Sequence, residues 1–477
     1  MVPVPPTAAS ETEGPGGRRR ERWVLAATSL ALGMTFADET LVGVALPTMR
    51  DDLGISGSLS HWVPNAYLLT FAVLAAAGGR FGDLVGTRRM FLLGTLGFAV
   101  ASLLCGLATS GGALVVARAA QGAAAAAMLP QAMAIITNSF PPDRLGRAIG
   151  TYVGAASVAL AVGPLLGGVL TESLGWRSVF FLNLAPAAAV LLIARVVVTP
   201  RTGAGHGARG FDGWGLVTSV AGLGLLVTAV MQSTEWHPTT VLALLAAGVL
   251  LLCGFARTET RRAEPLVDVR LLAGRRFLGS AVMVFCAQFS FLAAVLYGAM
   301  YVQDALRLGP AAAGLAMLPA MVPTLLLAPA TGALSRRLGA RPLTIVGAMG
   351  AALGFSLMAV ATEAEVYWPF GAALLVWGIS IPLVYNPALS VAMSAPPTAR
   401  RGGTSGLLEM CLQIGGTLGT AVVGATLLRT HSGPNPLPGS TFAQGFFVTS
   451  GVLAAAALTQ GLLMASDTWA SGGAPSP

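Results

Sequence analysis

The sequence predicts an all-α, polytopic membrane protein: two six-helix bundles with two further helices inserted between them, fourteen spans in all. Three observations lead there. Of 477 residues only 10% are charged and 55% are hydrophobic, with a mean hydropathy of +0.74, whereas soluble proteins carry about 25% charge and need polar residues to coat each core. Apolar runs of spanning length recur along the chain. Short blocks of sequence return after 253 residues, the mark of an internal repeat. The same figures argue against a soluble enzyme, a disordered chain or a secreted disulfide scaffold.

Residues 1–22 form a Pro/Gly-rich tail ending in Arg18, Arg19, Arg20 and Arg22, expected to be disordered and cytoplasmic. The first span begins at Trp23 and runs to about Pro47, too long for the apolar part of a signal peptide and without a small-residue cleavage site. Segments at about 61–81, 89–108, 113–138, 146–170 and 177–198 complete a first bundle, 23–198. The inserted pair, 213–232 and 239–256, lies within 199–276, and segments at 277–302, 311–333, 342–361, 366–392, 403–428 and 442–465 form a second bundle, 277–465. Residues 466–477 are a second cytoplasmic tail, and no gap leaves room for a soluble catalytic domain.

The formal charge is +8, and all 28 basic residues are arginine. Assigning loops alternately to the two sides puts 23 arginines on the side of the N-terminus and four (Arg50, Arg177, Arg307, Arg429) on the other, with Arg118 inside a span. This skew satisfies the positive-inside rule for an even number of helices with both termini cytoplasmic. The arginines punctuate apolar runs and build no continuous basic face, so no nucleic-acid partner is expected. Arginine in place of lysine, with abundant Ala and Gly, points to a GC-rich bacterial genome and hence to a bacterial cell (inner) membrane. Cys105, Cys253, Cys286 and Cys411 lie far apart inside apolar segments, and His61, His206, His237 and His431 cluster with nothing. No metal site and no cofactor are expected.

The repeat is explicit. Gly79, Asp83, Gly86 and Arg88 return at an offset of 253 as Gly332, Arg336, Gly339 and Arg341, with the acid replaced; Pro141-Pro142 return as Pro396-Pro397. The offset covers eight of the fourteen spans, which fits two bundles of six separated by two helices. Parallel repeats about an axis along the membrane normal are a transporter architecture.

With these motifs on the page the sequence resembles the major facilitator superfamily, and within it the fourteen-spanning drug:proton antiporter branch. The likeness runs from about residue 30 to 430. It rests on Gly79-Arg-Phe-Gly-Asp83-Leu-Val-Gly86-Thr-Arg88, Arg118-Ala-Ala-Gln121-Gly122, Gly163-Pro164-Leu-Leu-Gly167-Gly168, Trp176-Arg177 through Asn183, and Asp38-Glu39-Thr-Leu-Val-Gly-Val-Ala-Leu-Pro47. The resemblance implies that the loop motif (Gly79, Asp83, Gly86, Arg88) is a conformational latch without substrate contact. It also implies that Gly163, Pro164, Gly167 and Gly168 form the antiporter motif, which favours export. On the same helix Gly146, Gly150 and Gly154 stand four apart, a spacing that lets backbones approach closely.

Charge inside a membrane costs roughly 2.5 to 3.5 kcal/mol at a helix centre on insertion scales, so each intramembrane charge is a functional candidate. There are four: Asp38, Glu39, Arg118 and Glu409. Helix rise puts Asp38 about 13 Å and Arg118 about 8 Å from the outer ends of their spans, close enough in depth to pair. Asp38 and Arg118 are therefore the expected proton-coupling residues. Glu39 sits about 100° round the helix from Asp38, and Gln121 shares a face with Arg118. Glu39, Gln121 and Glu409 are the substrate-cavity candidates. Glu409 and Leu412 stand where the family usually has asparagine and arginine, a swap that favours a cationic substrate or makes Glu409 a second proton site.

The expected function is export of hydrophobic or amphipathic small molecules, antibiotics or drugs, in exchange for protons, by a monomer energised by the proton gradient and embedded in the lipid bilayer. The alternatives are the same fold importing or exchanging a nutrient, and a non-transporting receptor or assembly subunit. An intramembrane enzyme would need a paired catalytic set, which the sequence lacks.

Overall fold

The computed structural model describes residues 15–55, 57–199, 213–233, 236–262, 269–394, 401–430 and 437–465, and among these residues every regular element is a helix. The first bundle comprises α1 (Pro15–Leu53), α2 (Gly57–Val85), α3 (Thr87–Gly106), α4 (Gly111–Ser139), α5 (Pro142–Leu174), α6 (Ser178–Phe181) and α7 (Leu184–Val197). The inserted pair is α8 (Gly213–Met231) and α9 (Pro238–Glu259). After a 3-10 turn at Val269–Ala273 come α10 (Arg275–Asp304), α11 (Pro310–Ala316), α12 (Leu318–Leu338), α13 (Ala340–Glu363), α14 (Tyr367–Ser394), α15 (Arg401–Thr430) and α16 (Gly439–Ala465).

Among the described residues twelve spans are long and apolar enough to cross a membrane, with α6 and α7 together making one of them, and thirteen when α11 and α12, bent by 41°, are taken as one more. With α2, 29 residues long, the arrangement is consistent with the expected fourteen. The bend follows from Pro319, whose missing N–H restarts the helix after Met317. Large apolar side chains such as Val116, Val196, Leu250 and Leu462 are more than two-thirds exposed. That surface fits a hydrocarbon surrounding, where helices satisfy their own backbone hydrogen bonds.

The N-terminal tail requires a correction. Helix α1 begins at Pro15, well before Trp23, so the arginine cluster belongs to a helix and not to a disordered tail. Proline suits a first helical turn and arginine is a good helix former. Arg20 donates to the Val197 carbonyl (2.9 Å) and to Thr199 Oγ1 (2.8 Å), and Arg144 pairs with Glu21 at 2.7 Å. These bonds fasten the start of α1 to the end of α7 and the start of α5. Residues 1–14, the 466–477 tail, His206, His431 and the Pro396-Pro397 echo lie outside the described residues.

The repeat is visible in the backbone. Gly86 (φ 102°) and Gly339 (φ 86°) both take the left-handed region that favours glycine, and each immediately precedes the next helix of its bundle, α3 and α13. Two residues on, Arg88 donates to the Arg195 carbonyl on α7 (2.5 Å) and Arg341 to the Gly461 carbonyl on α16 (2.9 Å). The equivalent arginines thus cap the last helix of their own bundle, where a cation also meets the negative end of the helix dipole. The side chain of Asp83 lies outside those described.

The bundles meet at the end distal to the chain termini. There Arg50 of α1 makes two 3.0 Å bonds to Asp304 of α10, and Glu172 of α5 accepts from the Ala311 N–H of α11 at 2.9 Å. Slightly deeper, Gln303 donates to the Val44 carbonyl (2.9 Å), Thr420 Oγ1 donates to Asn65 (2.7 Å), and the Tyr297 hydroxyl lies 3.2 Å from His61 Nδ1. The inserted α8 and α9 approach closely at Gly222 and Gly248. Helix α8 lies over the seam between the bundles, with Val227 and Met231 against Ala421 of α15 and Trp62 and Leu69 of α2.

Candidate functional site

Asp38 and Arg118 form an ion pair at 2.5 Å, both almost completely buried. Several polar neighbours are recruited to it. Arg118 also donates to Gln121 Oε1 (2.6 Å) and, through Nε, to the Val63 carbonyl of α2 (3.2 Å). Asp38 Oδ1 accepts from Gln121 (3.0 Å) and from Asn183 (2.7 Å), and Gln121 donates on to Ser102 of α3 (2.9 Å). The guanidinium lies over the Tyr67 ring, 4.4 Å from its centroid. Asn183 reaches Asp38 because the sixth span is broken between α6 and α7, which brings it to the bundle axis. The pair and its satellites therefore tie α1, α2, α3, α4 and the α6–α7 break together. Such a fully bonded network in a low-dielectric interior holds one arrangement firmly.

This alters one expectation. Gln121, expected to look into the cavity with Arg118, is fully buried inside the first bundle with both ends of its amide engaged. The guanidinium itself claims the space between Gln121 and the cleft.

Glu39, one residue along and about 100° round the helix, faces the other way. It is buried at the junction of the bundles and lines a void of about 10 Å³ with Gly43, Tyr67 and Arg118 of the first bundle and Leu292, Leu296 and Thr420 of the second. That is room for about one water. Neither Glu39 oxygen meets hydrogen-bond geometry with a neighbour among the described residues. Within electrostatic range stand Asp38, Arg118 and, from α15, Glu409 and Gln413; Gln413 holds Glu409 by a 3.1 Å bond and lies beside Glu39 as well. Gly43 matters here: a Cβ would sit 3.6 Å from the Leu296 backbone, so a larger residue would close what space remains.

The glycine motif of α5 joins the charged turn of α1 to the second bundle. A Cβ on Gly163 would collide with Thr40, and one on Gly167 would touch the Leu41 backbone at 3.0 Å. On the opposite side, a Cβ on Gly168 would strike the Pro310 carbonyl of α11, and one on Gly314 the carbonyl of Pro164. Gly146, Gly150 and Gly154, expected to allow close packing, have nothing within 4 Å of a Cβ. They occupy the half of α5 near the termini and are exposed there.

Sequence reasoning singled out Asp38, Arg118, Glu39 and Glu409 from charge alone. Ser102, Tyr67 and Asn65 it did not, since a lone serine, tyrosine or asparagine in an apolar run carries no local signal. The cross-bundle pair of Arg50 with Asp304 was equally hidden, because both residues sit at ordinary span ends.

Two bundles related by an internal repeat, with buried charge at their junction, define a membrane transporter and not an enzyme. The sequence model of the Major Facilitator Superfamily matches residues 28–420, and the chain belongs to that superfamily. Similar proteins include the tetracenomycin C resistance and export protein of Streptomyces glaucescens, 31% identical over 424 residues (88% of this chain, 79% of that protein). Another is the cephamycin export protein of Amycolatopsis lactamdurans, 36% identical over 433 residues (88% of each). Such relatives match the drug:proton antiporter branch that the motifs resemble. Among solved structures, the POT family transporter PepTSo superposes with a TM-score of 0.70 at 14% identity, over 93% of this chain and 97% of that one, a likeness of fold.

Proposed function

We propose that this protein exports hydrophobic or amphipathic small molecules, of the antibiotic or drug type, across a bacterial cell membrane in exchange for protons. The observation that carries the reading is the placement of two carboxyl groups, Glu39 and Glu409, one on each bundle, near one another at the junction. Two carboxylates in a low-dielectric cleft repel when both are ionised. A proton on one of them, or a cationic substrate between them, relieves that repulsion, and the two occupants compete. Coupling needs such differential stabilisation of two states, because a ligand bound equally in both shifts nothing.

Asp38 and Arg118 serve this exchange as positioning residues. They fix the turn of α1 on which Glu39 stands, and a change in Glu39 charge is felt by Arg118 and through it by the whole first bundle. The glycines of α5 pass that turn's movement to α11. With the distal end closed and the Gly146 to Gly154 face of α5 open, the structure corresponds to a state open toward the side of the termini. The arginine skew makes that side the cytoplasm. The division into bundles at 23–198 and 277–465, extended at its start to Pro15, is the moving unit of this scheme. The protein acts as a monomer, with the proton gradient as its energy source and no cofactor.

Expression in a drug-sensitive bacterial host against a panel of antibiotics and cationic dyes tests the proposal. Resistance to several compounds that an uncoupler abolishes is expected. Increased sensitivity, or resistance indifferent to the uncoupler, contradicts it.

A further inference from the structure

Of the buried titratable side chains, His61 has no part in the exchange at Glu39, yet it stands in the contact that shuts the distal end. It lies on the first turns of α2 and is 4% exposed. The Tyr297 hydroxyl of α10 stands 3.2 Å from its Nδ1, and the two ring centroids are 5.8 Å apart. That hydroxyl gives its hydrogen to the Thr420 carbonyl of α15 at 2.5 Å, so toward His61 it can only accept. Nδ1 therefore carries the hydrogen of the neutral ring, and Nε2 is the nitrogen left to take a further proton. A Cβ on Gly424 would come within 2.7 Å of the Tyr297 oxygen and 3.0 Å of Nδ1, so the α15 backbone closes over this contact. Through Tyr297 one neutral imidazole joins α2 of the first bundle to α10 and α15 of the second.

The charges around it leave no place for that proton while the gate is shut. Arg50 of α1 is within electrostatic range, and the acids beside it, Asp51 and Asp304 of α10, are engaged by its own guanidinium. Arg118 of α4 reaches the Val63 carbonyl two residues further along α2, again a cation. Asp38 and Glu39 lie about 16 Å along α1 from Arg50, and Glu409 about 16 Å along α15 from Thr420. Arg429 is exposed at the distal end of α15, and on α2 itself Tyr67 is the next titratable residue, with Arg80 and Asp83 at the opposite end. On α3, Arg88 and Arg89 stand at the opposite end and Cys105 bonds to Gln121. Helix α8, over the seam, holds no titratable residue. Among the described residues no carboxylate stands within electrostatic range of His61. A charge buried without a counter-ion is costly, whereas an opened gate gives the imidazolium to water.

We propose that His61 is the proton-sensitive latch of the distal gate: the gate shuts over the neutral imidazole, and a proton arriving from the outer side holds it open. The inference rests on the distal contacts being the outer gate of the proposed exporter. The open gate binds the proton more tightly than the shut gate. By linkage, acid on the outer side therefore favours the open state, by at most about tenfold per pH unit for a single site. The shift begins as pH falls through about 6.5, the ordinary value of an imidazole in water. Closure then waits until His61 has given its proton up, so that His61 governs the gate while Glu39 governs the exchange.

The test is thiol labelling of the full-length protein in intact, uncoupler-treated cells, with a cysteine introduced at Val44, buried behind the closure, or at Leu308, exposed at the distal end. A membrane-impermeant reagent is applied across about pH 5 to 8, and the label taken by the native cysteines is subtracted. Dividing Val44→Cys labelling by Leu308→Cys labelling cancels the pH dependence of the thiol itself. In the otherwise wild-type protein this ratio should rise by about fivefold or more from the alkaline to the acid end. His61→Gln, which keeps a donor for Tyr297 and takes no proton, should hold the ratio flat; His61→Asn replaces it if it is not retained in the membrane. A wild-type ratio unchanged by acid, or a rise that survives in a folded neutral variant, would overturn the proposal. Failure of the drug-resistance panel would leave it standing, since labelling needs neither substrate nor gradient. A flat wild-type ratio alongside uncoupler-sensitive resistance would reject the latch alone.

Discussion

Adjacent acids on one helix turn carry different burdens. Asp38 is saturated with donors from Arg118, Gln121 and Asn183, whereas Glu39 faces the junction with only the Gln413 amide of α15 beside it, outside strict hydrogen-bond geometry. Removing one partner of a buried ion pair strands the other charge, a loss of about 3–5 kcal/mol. Asp38→Asn is therefore expected to lower membrane abundance and melting temperature, although the sequence alone assigned Asp38 to proton coupling. Glu39→Gln should fold and melt like the wild type. Equal stability of the two variants in a melting assay on purified protein contradicts this division of roles. At Glu409 the charge argument gives a substrate test: Glu409→Gln should lose resistance to cationic dyes and retain it toward neutral drugs, read as inhibitory concentrations. Uniform loss across the panel would make Glu409 part of coupling instead. Charge made these residues legible, because in a 55% hydrophobic chain each intramembrane acid stands out. Their division of labour was not legible, since it depends on Asn183 and Ser102, which only the folded bundle brings to Asp38.

At the level of elements, α5 presents one glycine set in contact and another in open space. Gly168→Leu should block the distal closure by striking the Pro310 carbonyl, and Gly150→Leu should leave this state intact but obstruct approach of the bundles at the opposite end. Both are expected to abolish resistance while membrane abundance stays within about twofold of wild type, because Gly150 is exposed and Gly168, although buried, meets the other bundle and not its own. Thiol labelling separates them: Gly168→Leu should raise labelling of an introduced cysteine at Val44 from outside, and Gly150→Leu should not. Loss of abundance in parallel with activity would make both contacts mere packing. The sequence announced the glycine spacing of α5 and the repeated corners at Gly86 and Gly339, because backbone demands of this kind select one residue type. It misplaced the start of α1, whose arginines look like a polar tail until α5 and α7 supply their partners. It also could not show the break between α6 and α7 that lets Asn183 reach Asp38.

Across the whole molecule, the distal closure rests on Arg50 with Asp304, Glu172 with the Ala311 N–H, and the His61, Tyr297, Asn65 and Thr420 contacts beneath them. Arg50→Ala removes the outermost link without touching the junction, and is expected to shift the population toward the outward-open state, raising external labelling of a cysteine at Leu296. Unchanged labelling would show that the deeper contacts alone hold the gate. Reporter fusions after residues 234 and 465 should read outside and inside respectively, as the arginine skew demands. The central claim is that export is driven by protons exchanged at Glu39. Its most direct measurement is accumulation of a cationic dye in proteoliposomes under an imposed proton gradient, compared between wild type and Glu39→Gln. Wild type should concentrate the dye against its own gradient. Glu39→Gln, equally abundant and equally stable, should only let the dye equilibrate; accumulation by that variant to the wild-type level would contradict the account.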